Sequence, residues 1–98
     1  MPLYMAPEIL SGQKRYTRAV DVYSYAILCA VVLNDGQLPY MEYNFATPLD
    51  MQNAVLEGCR PSINPDCPQY IRDLLHQCWS PNVNDRPPFE VLVNFLQQ

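Results

Sequence analysis

The sequence predicts an all-α fold of about four helices, and three observations predict it. One long run, Arg18 to Leu33, is apolar on nearly every side. Two later segments repeat apolar residues at i, i+3, i+4 and i+7. No stretch alternates apolar and polar residues for long enough to make a strand. Prolines, ten in all, fall mostly between these segments and separate them.

The first helix is predicted over Arg18–Leu33, with Asn34-Asp35-Gly36 ending it and Gly36 as the residue that stops it. A helix apolar all round belongs in a core or a membrane. A span needs about 20 apolar residues, and this run is shorter and carries Asp21, so it is expected to be a central core helix. For the second helix Thr47 is the N-cap, Pro48 the first helical position, Asp50 the acid of a capping box and Gly58 the stop. The third starts near Pro68 and lines up Ile71, Leu74, Leu75 and Cys78. The fourth starts near Pro88 and lines up Phe89, Leu92, Val93 and Leu96. Between the first two lies an aromatic loop, Gln37 to Ala46, expected to pack back onto the body of the domain.

Composition narrows the function. Charged residues make up 16% of the chain and apolar residues 49%, against about 25% charged in globular domains. So under-charged a surface points to apolar area that expects cover from further chain. The first helix in particular should keep one apolar face for helices that would precede this sequence. The net charge of −4 argues against nucleic acid, which is bound through clustered cations. Lys14, Arg15 and Arg18 form one small basic cluster; Arg60, Arg72 and Arg86 stand apart. Cys29, Cys59, Cys67 and Cys78 lack the close pairing of a zinc site, and His76 and Cys78 are wrongly spaced for joint ligation, so no metal is expected. The opening Met1-Pro2-Leu3-Tyr4 has neither the basic region nor the apolar run of a secretory leader. The cysteines are therefore expected as buried, reduced thiols of a cytoplasmic protein.

Four motifs occur in order: Tyr4-Met5-Ala6-Pro7-Glu8, Asp21-Val22-Tyr23-Ser24, Cys78-Trp79 and Asp85-Arg86-Pro87. Each alone is short enough to recur by chance. Their order and separations together resemble the C-terminal lobe of eukaryotic protein kinases, whose activation segment ends in Ala-Pro-Glu. The resemblance covers essentially residues 1–98 and implies the C-terminal part of the helical large lobe. On that pattern the small lobe, the catalytic loop and most of the activation segment would not be among these residues.

The resemblance implies roles for particular residues. Glu8 would pair with Arg86, whose guanidinium fork matches a carboxylate bidentately. Asp21 would accept backbone N–H bonds from the catalytic loop; on the residues alone it could equally serve the helix N-terminus, where negative charge is favoured. Pro2, Leu3 and Tyr4 would belong to the loop that receives a protein substrate. The helix around Leu49–Glu57 would dock partners. Two positions depart from the pattern. Ala26 replaces a common Gly, which favours helix by about 1 kcal/mol, and Pro88 replaces a small hydroxyl residue that would cap the last helix.

Phosphoryl transfer needs a Gly-rich loop, a strand lysine, a helix glutamate, His-Arg-Asp with its Asn, and Asp-Phe-Gly. The sole lysine, Lys14, and the sole histidine, His76, belong to none of these. No catalytic or cofactor-binding residue is therefore assigned, and this chain is expected to be inactive alone. The full family domain would use ATP and Mg²⁺. The parent would transfer the γ-phosphate to protein Ser/Thr, as Pro2-Leu3-Tyr4 suggests, or to Tyr. Met1 occupies the position that would discriminate the two. The alternative is a pseudokinase portion, such as the kinase-homology region of a receptor cyclase, or a helical interaction module without phosphotransfer.

Overall fold

Helix propensity and the apolar periodicity fold the chain, in a computed structural model that describes residues 2–12 and 17–96, into α1 (Pro7–Leu10), α2 (Arg18–Leu33), α3 (Pro48–Leu56), α4 (Gln69–Cys78) and α5 (Phe89–Leu96). Single 3₁₀ turns fall at Pro2–Tyr4, Met41–Tyr43 and Val83–Asp85. Among the described residues there is no strand. The radius of gyration is 13.0 Å, close to the about 13 Å of a compact 100-residue domain. The shortest dimension, however, is 18 Å, less than two helix diameters of about 10–12 Å each. A slab that thin cannot surround α2.

The caps set the boundaries. At the end of α2 the Gly36 N–H donates to the Val31 carbonyl at 2.9 Å and the Asp35 N–H to Val32 at 3.3 Å, the double closure of a Schellman turn. At its hinge Asp35 is left-handed, with φ 58°, and so is Gly36, the expected stop, at φ 83°. Thr47 caps α3 by accepting from the Asp50 N–H at 3.1 Å. The same helix ends on Gly58, φ 111°, with the Cys59 N–H donating to Ala54 at 2.9 Å. α5 starts on backbone alone, the Pro88 carbonyl accepting from Val91 and Leu92. The side chains of Val93 and Leu96, placed on its apolar stripe, lie outside the described residues, as do Lys14 and Arg15. α1 is a single turn that carries no periodicity and was not expected.

The main core joins α2, α4 and α5. Val20, Val22, Tyr23, Ala26, Ile27 and Ala30 of α2 pack with Leu74, Leu75 and Cys78 of α4, Trp79 and Leu92. A second cluster, Tyr40, Met51 and Val55, seats α3 against Leu3, Leu10 and Phe45. The Gln52 amide donates to the Leu10 carbonyl at 3.2 Å and ties α3 to α1. The opposite side of α2 is open. Tyr25, Leu28 and Val32 are 38%, 48% and 69% exposed and follow one another at helical spacing down one stripe. They border a groove of about 310 Å³ whose other wall is Cys67, Pro68 and Ile71. α2 is thus half a core helix, with the uncovered apolar face that its sequence implies. All four cysteines are free, Cys67 and Cys78 buried, and burial raises the Cys78 pKa to about 12.

Candidate functional site

Glu8 opens α1 and Arg86 closes the Val83–Asp85 turn, so the sequence ends of the fold meet through them. The two guanidinium nitrogens donate to the two carboxylate oxygens at 2.7 and 2.9 Å. The Arg86 side chain is fully buried and that of Glu8 is 10% exposed. Two further Arg86 N–H groups also have acceptors, Nε donating to the Ser80 carbonyl at 3.0 Å and Nη1 to the Ala19 carbonyl at 3.1 Å. Burial pushes the Glu8 pKa up, but the hydrogen bonds and charge of Arg86 more than reverse this, and the carboxyl lies below its ordinary value. One bidentate pair therefore joins the segment after the N-terminal loop, the first turn of α2 and the turn before α5.

Arg60, which the sequence left standing apart, is a second hub. It donates from Nε to the Trp79 carbonyl at 2.9 Å and from Nη1 to Val55 at 3.0 Å and Cys59 at 2.7 Å. Both guanidiniums lie over the Tyr23 ring, Arg60 at 5.1 Å and Arg86 at 5.0 Å from its centroid, the distance of a cation–π contact. Burial raises the Tyr23 pKa and the Arg60 charge opposes it. A sequence signal did exist for Arg60: it follows the Gly58 stop by two residues, where cations satisfy the last carbonyls of a helix.

The remaining candidates are divided between two places. Leu3 is half-buried in the α3 cluster and Tyr4 packs on the main core. Their turn is held to α2 by Ser24, whose hydroxyl donates to the Tyr4 carbonyl at 2.7 Å. The side chain of Pro2 lies outside the described residues. Asp21 stands on the first turn of α2, the helix N-terminal position that its sequence allows. Inside an apolar helix a carboxylate needs partners, yet Asp21 is exposed on the first turn of α2, where water solvates it. It borders a small cleft of about 220 Å³ with Tyr4, Met5, Ala6, Ile9 and Ser24. His76 is exposed and its Nδ1 accepts from the Trp79 indole at 3.2 Å. No cluster of three metal-ligating side chains occurs among the described residues.

The family model of the protein tyrosine and serine/threonine kinases matches residues 1–96. A probable serine/threonine-protein kinase of Dictyostelium discoideum is 35% identical over 97 residues, which are 98% of this chain and 7% of that protein. The dual specificity protein kinase shkA of the same organism is 36% identical over 99% of this chain and 18% of its own length. The ephrin type-A receptor 3 of Danio rerio is 38% identical over 97% of this chain and 9% of that receptor. The chain thus spans less than a fifth of the length of these relatives.

Proposed function

We propose, for a chain that belongs to the protein tyrosine and serine/threonine kinase family, that it is the structural and substrate-facing end of a phosphotransferase's helical lobe. The observation that carries this reading is the bidentate Glu8–Arg86 pair, which closes the fold across nearly its whole length. Such a pair fixes the end of an activation segment against the lobe without touching a reacting atom. Just before it, the Pro2–Tyr4 turn, tied to α2 through Ser24, would receive the protein substrate. In the parent protein, ATP and Mg²⁺ would supply the phosphoryl group and its charge neutralisation. None of the residues that would hold them is assigned here.

The exposed Asp21 and the open Tyr25–Leu28–Val32 stripe fit this division of labour. Asp21 would meet backbone N–H groups of a catalytic loop, and the stripe would be covered by helices of the same lobe. On this reading the parent would work in the cytoplasm, which the four free thiols support, with protein Ser/Thr, or Tyr, as its acceptor. A non-catalytic module is the second reading, and the exposed apolar residues around α3 favour it.

A chimera tests the proposal. The corresponding segment of an active relative is replaced by residues 1–98, and phosphorylation of matched Ser, Thr and Tyr peptides is measured. Retained Ser/Thr phosphorylation, lost on Glu8→Ala, supports the reading. A folded but inactive chimera contradicts it and favours the interaction module.

A further inference from the structure

The one indole of the chain is held by a side chain whose chemistry changes with a proton. Trp79 is buried at the end of α4, and its Nε1–H donates to His76 Nδ1 at 3.2 Å. The two rings meet edge to face, with centroids 5.5 Å apart and planes at 84°. An indole has a donor and no acceptor, and a buried donor without a partner is costly. The bond needs the Nδ1 lone pair, so His76 takes part as the neutral tautomer with its proton on Nε2. An imidazolium carries a proton on both nitrogens and cannot accept. Protonating His76 therefore removes the partner of the buried indole.

The surroundings of His76 pull the other way. It stands in the last turn of α4, where the helix dipole favours a cation. On its exposed side it lines an open cleft with Gln77, Ser80 and Asp85, and Asp85 is the charged member. The turn that carries Asp85 is fixed there, the Ser80 hydroxyl accepting from the Asn82 N–H at 3.2 Å and the Asn82 side chain from the Asn84 N–H at 3.0 Å. The other charges near the pair are engaged elsewhere. One turn back on α4, Arg72 and Asp73 both bond the Gln69 side chain. Arg60 and Arg86 aim their Nε–H groups at the carbonyls of Trp79 and Ser80, and Glu8 pairs with Arg86.

We propose that His76 and Trp79 form a proton-operated latch. With His76 neutral, the indole is pinned to the end of α4. When His76 takes a proton from solvent, the imidazolium gives up the indole and turns across the cleft towards Asp85. Histidine is the side chain that makes such a change near neutral pH. The carbonyls of Trp79 and Ser80 are acceptors for Arg60 and Arg86, so the release is felt at both guanidiniums. The latch is built from α4 and the turn before α5 alone, and it stands under either reading of the function given above.

The test follows the ¹⁵N-labelled 98-residue chain by NMR from about pH 8 to about pH 5, the range in which histidine changes charge. The sole tryptophan gives a single indole N–H signal, which should move upfield in one step as its acceptor is lost. The Nε–H signals of Arg60 and Arg86 should move with the same midpoint. His76→Asn keeps an acceptor near the Nδ1 position without a titrating group, and should hold the indole signal fixed across the range. His76→Phe removes the acceptor, and should show the acid position of the signal at every pH. Both substitutions fall at an exposed position, so the fold should survive them. Asp85→Asn removes the cleft carboxylate and should lower the midpoint. An indole signal that stays put in the unsubstituted chain, or that still moves in His76→Asn, overturns the proposal. A midpoint unmoved by Asp85→Asn contradicts the turn towards Asp85, and unmoved arginine signals contradict the coupling.

Discussion

Replacing Arg86 by Ala is the perturbation with the largest worked effect. The side chain is fully buried and makes four hydrogen bonds, two of them to the Glu8 carboxylate. Removing one partner of a buried ion pair costs about 3–5 kcal/mol, because the other charge is left without compensation. The lost contact of this buried guanidinium with the Tyr23 ring adds about 2 kcal/mol. A chain of this length is stable by only about 5–15 kcal/mol, so Arg86→Ala should remove a large fraction of the total. Trp79, the sole tryptophan and 2% exposed, reports unfolding by its fluorescence. With a urea slope of about 1–3 kcal/mol/M, a loss of 3 kcal/mol lowers the midpoint by about 1–3 M. The double variant Glu8→Leu, Arg86→Met should lie well above the sum of its singles, since no charge is stranded. It retains a deficit of about 2 kcal/mol for the undonated Ser80 and Ala19 carbonyls. A loss under 1 kcal/mol for Arg86→Ala, or additivity of the two singles, would refute the reasoning.

Three further outcomes follow from the same structure. Glu8 has a folded-state pKa below its ordinary 4.5, so its stabilisation is complete above that pH and is lost as pH falls through the lower folded value. Thermal melts should therefore show an acid limb below pH 4.5 that Glu8→Gln flattens; an unchanged limb would contradict the assignment. Thr47→Ala removes the cap on the Asp50 N–H and should cost about 0.5–2 kcal/mol, read by urea melts, with helicity loss confined to α3. Leu28→Lys with Val32→Glu, at positions 48% and 69% exposed, should change stability by under about 0.5 kcal/mol. It should also sharply reduce hydrophobic-dye binding and self-association, and a loss of several kcal/mol would mean that this face is not open.

How much of this was legible in the sequence depends on the range of the physics involved. The bounds of α2 and the caps of α3 could be read because they rest on residues within one turn of each other. Thr47, Pro48 and Gly58 declare themselves locally. α1 could not be read this way, since one turn shows no period. Asp35 joins Gly36 in left-handed backbone, at φ 58° and 83°, because the Schellman closure is set by where α2 runs out, and Asp tolerates that backbone at modest cost. The Glu8–Arg86 pairing was accessible only through family resemblance, as no local pattern links residues so far apart in sequence. Arg60 bonds backbone carbonyls, so its one local signal is its place two residues after the Gly58 stop, a weaker mark than a side-chain motif. Asp21 could be placed on the first turn of α2 from sequence, but its exposure could not, because exposure is decided by which helix face is covered.

The central claim is that these residues brace and present a kinase lobe while holding no phosphotransfer chemistry of their own. Isothermal titration of the 98-residue chain with Mg²⁺ and ATP tests it most directly. The account predicts no saturable heat up to millimolar nucleotide. Saturable, Mg²⁺-dependent binding that survives Glu8→Gln would contradict it.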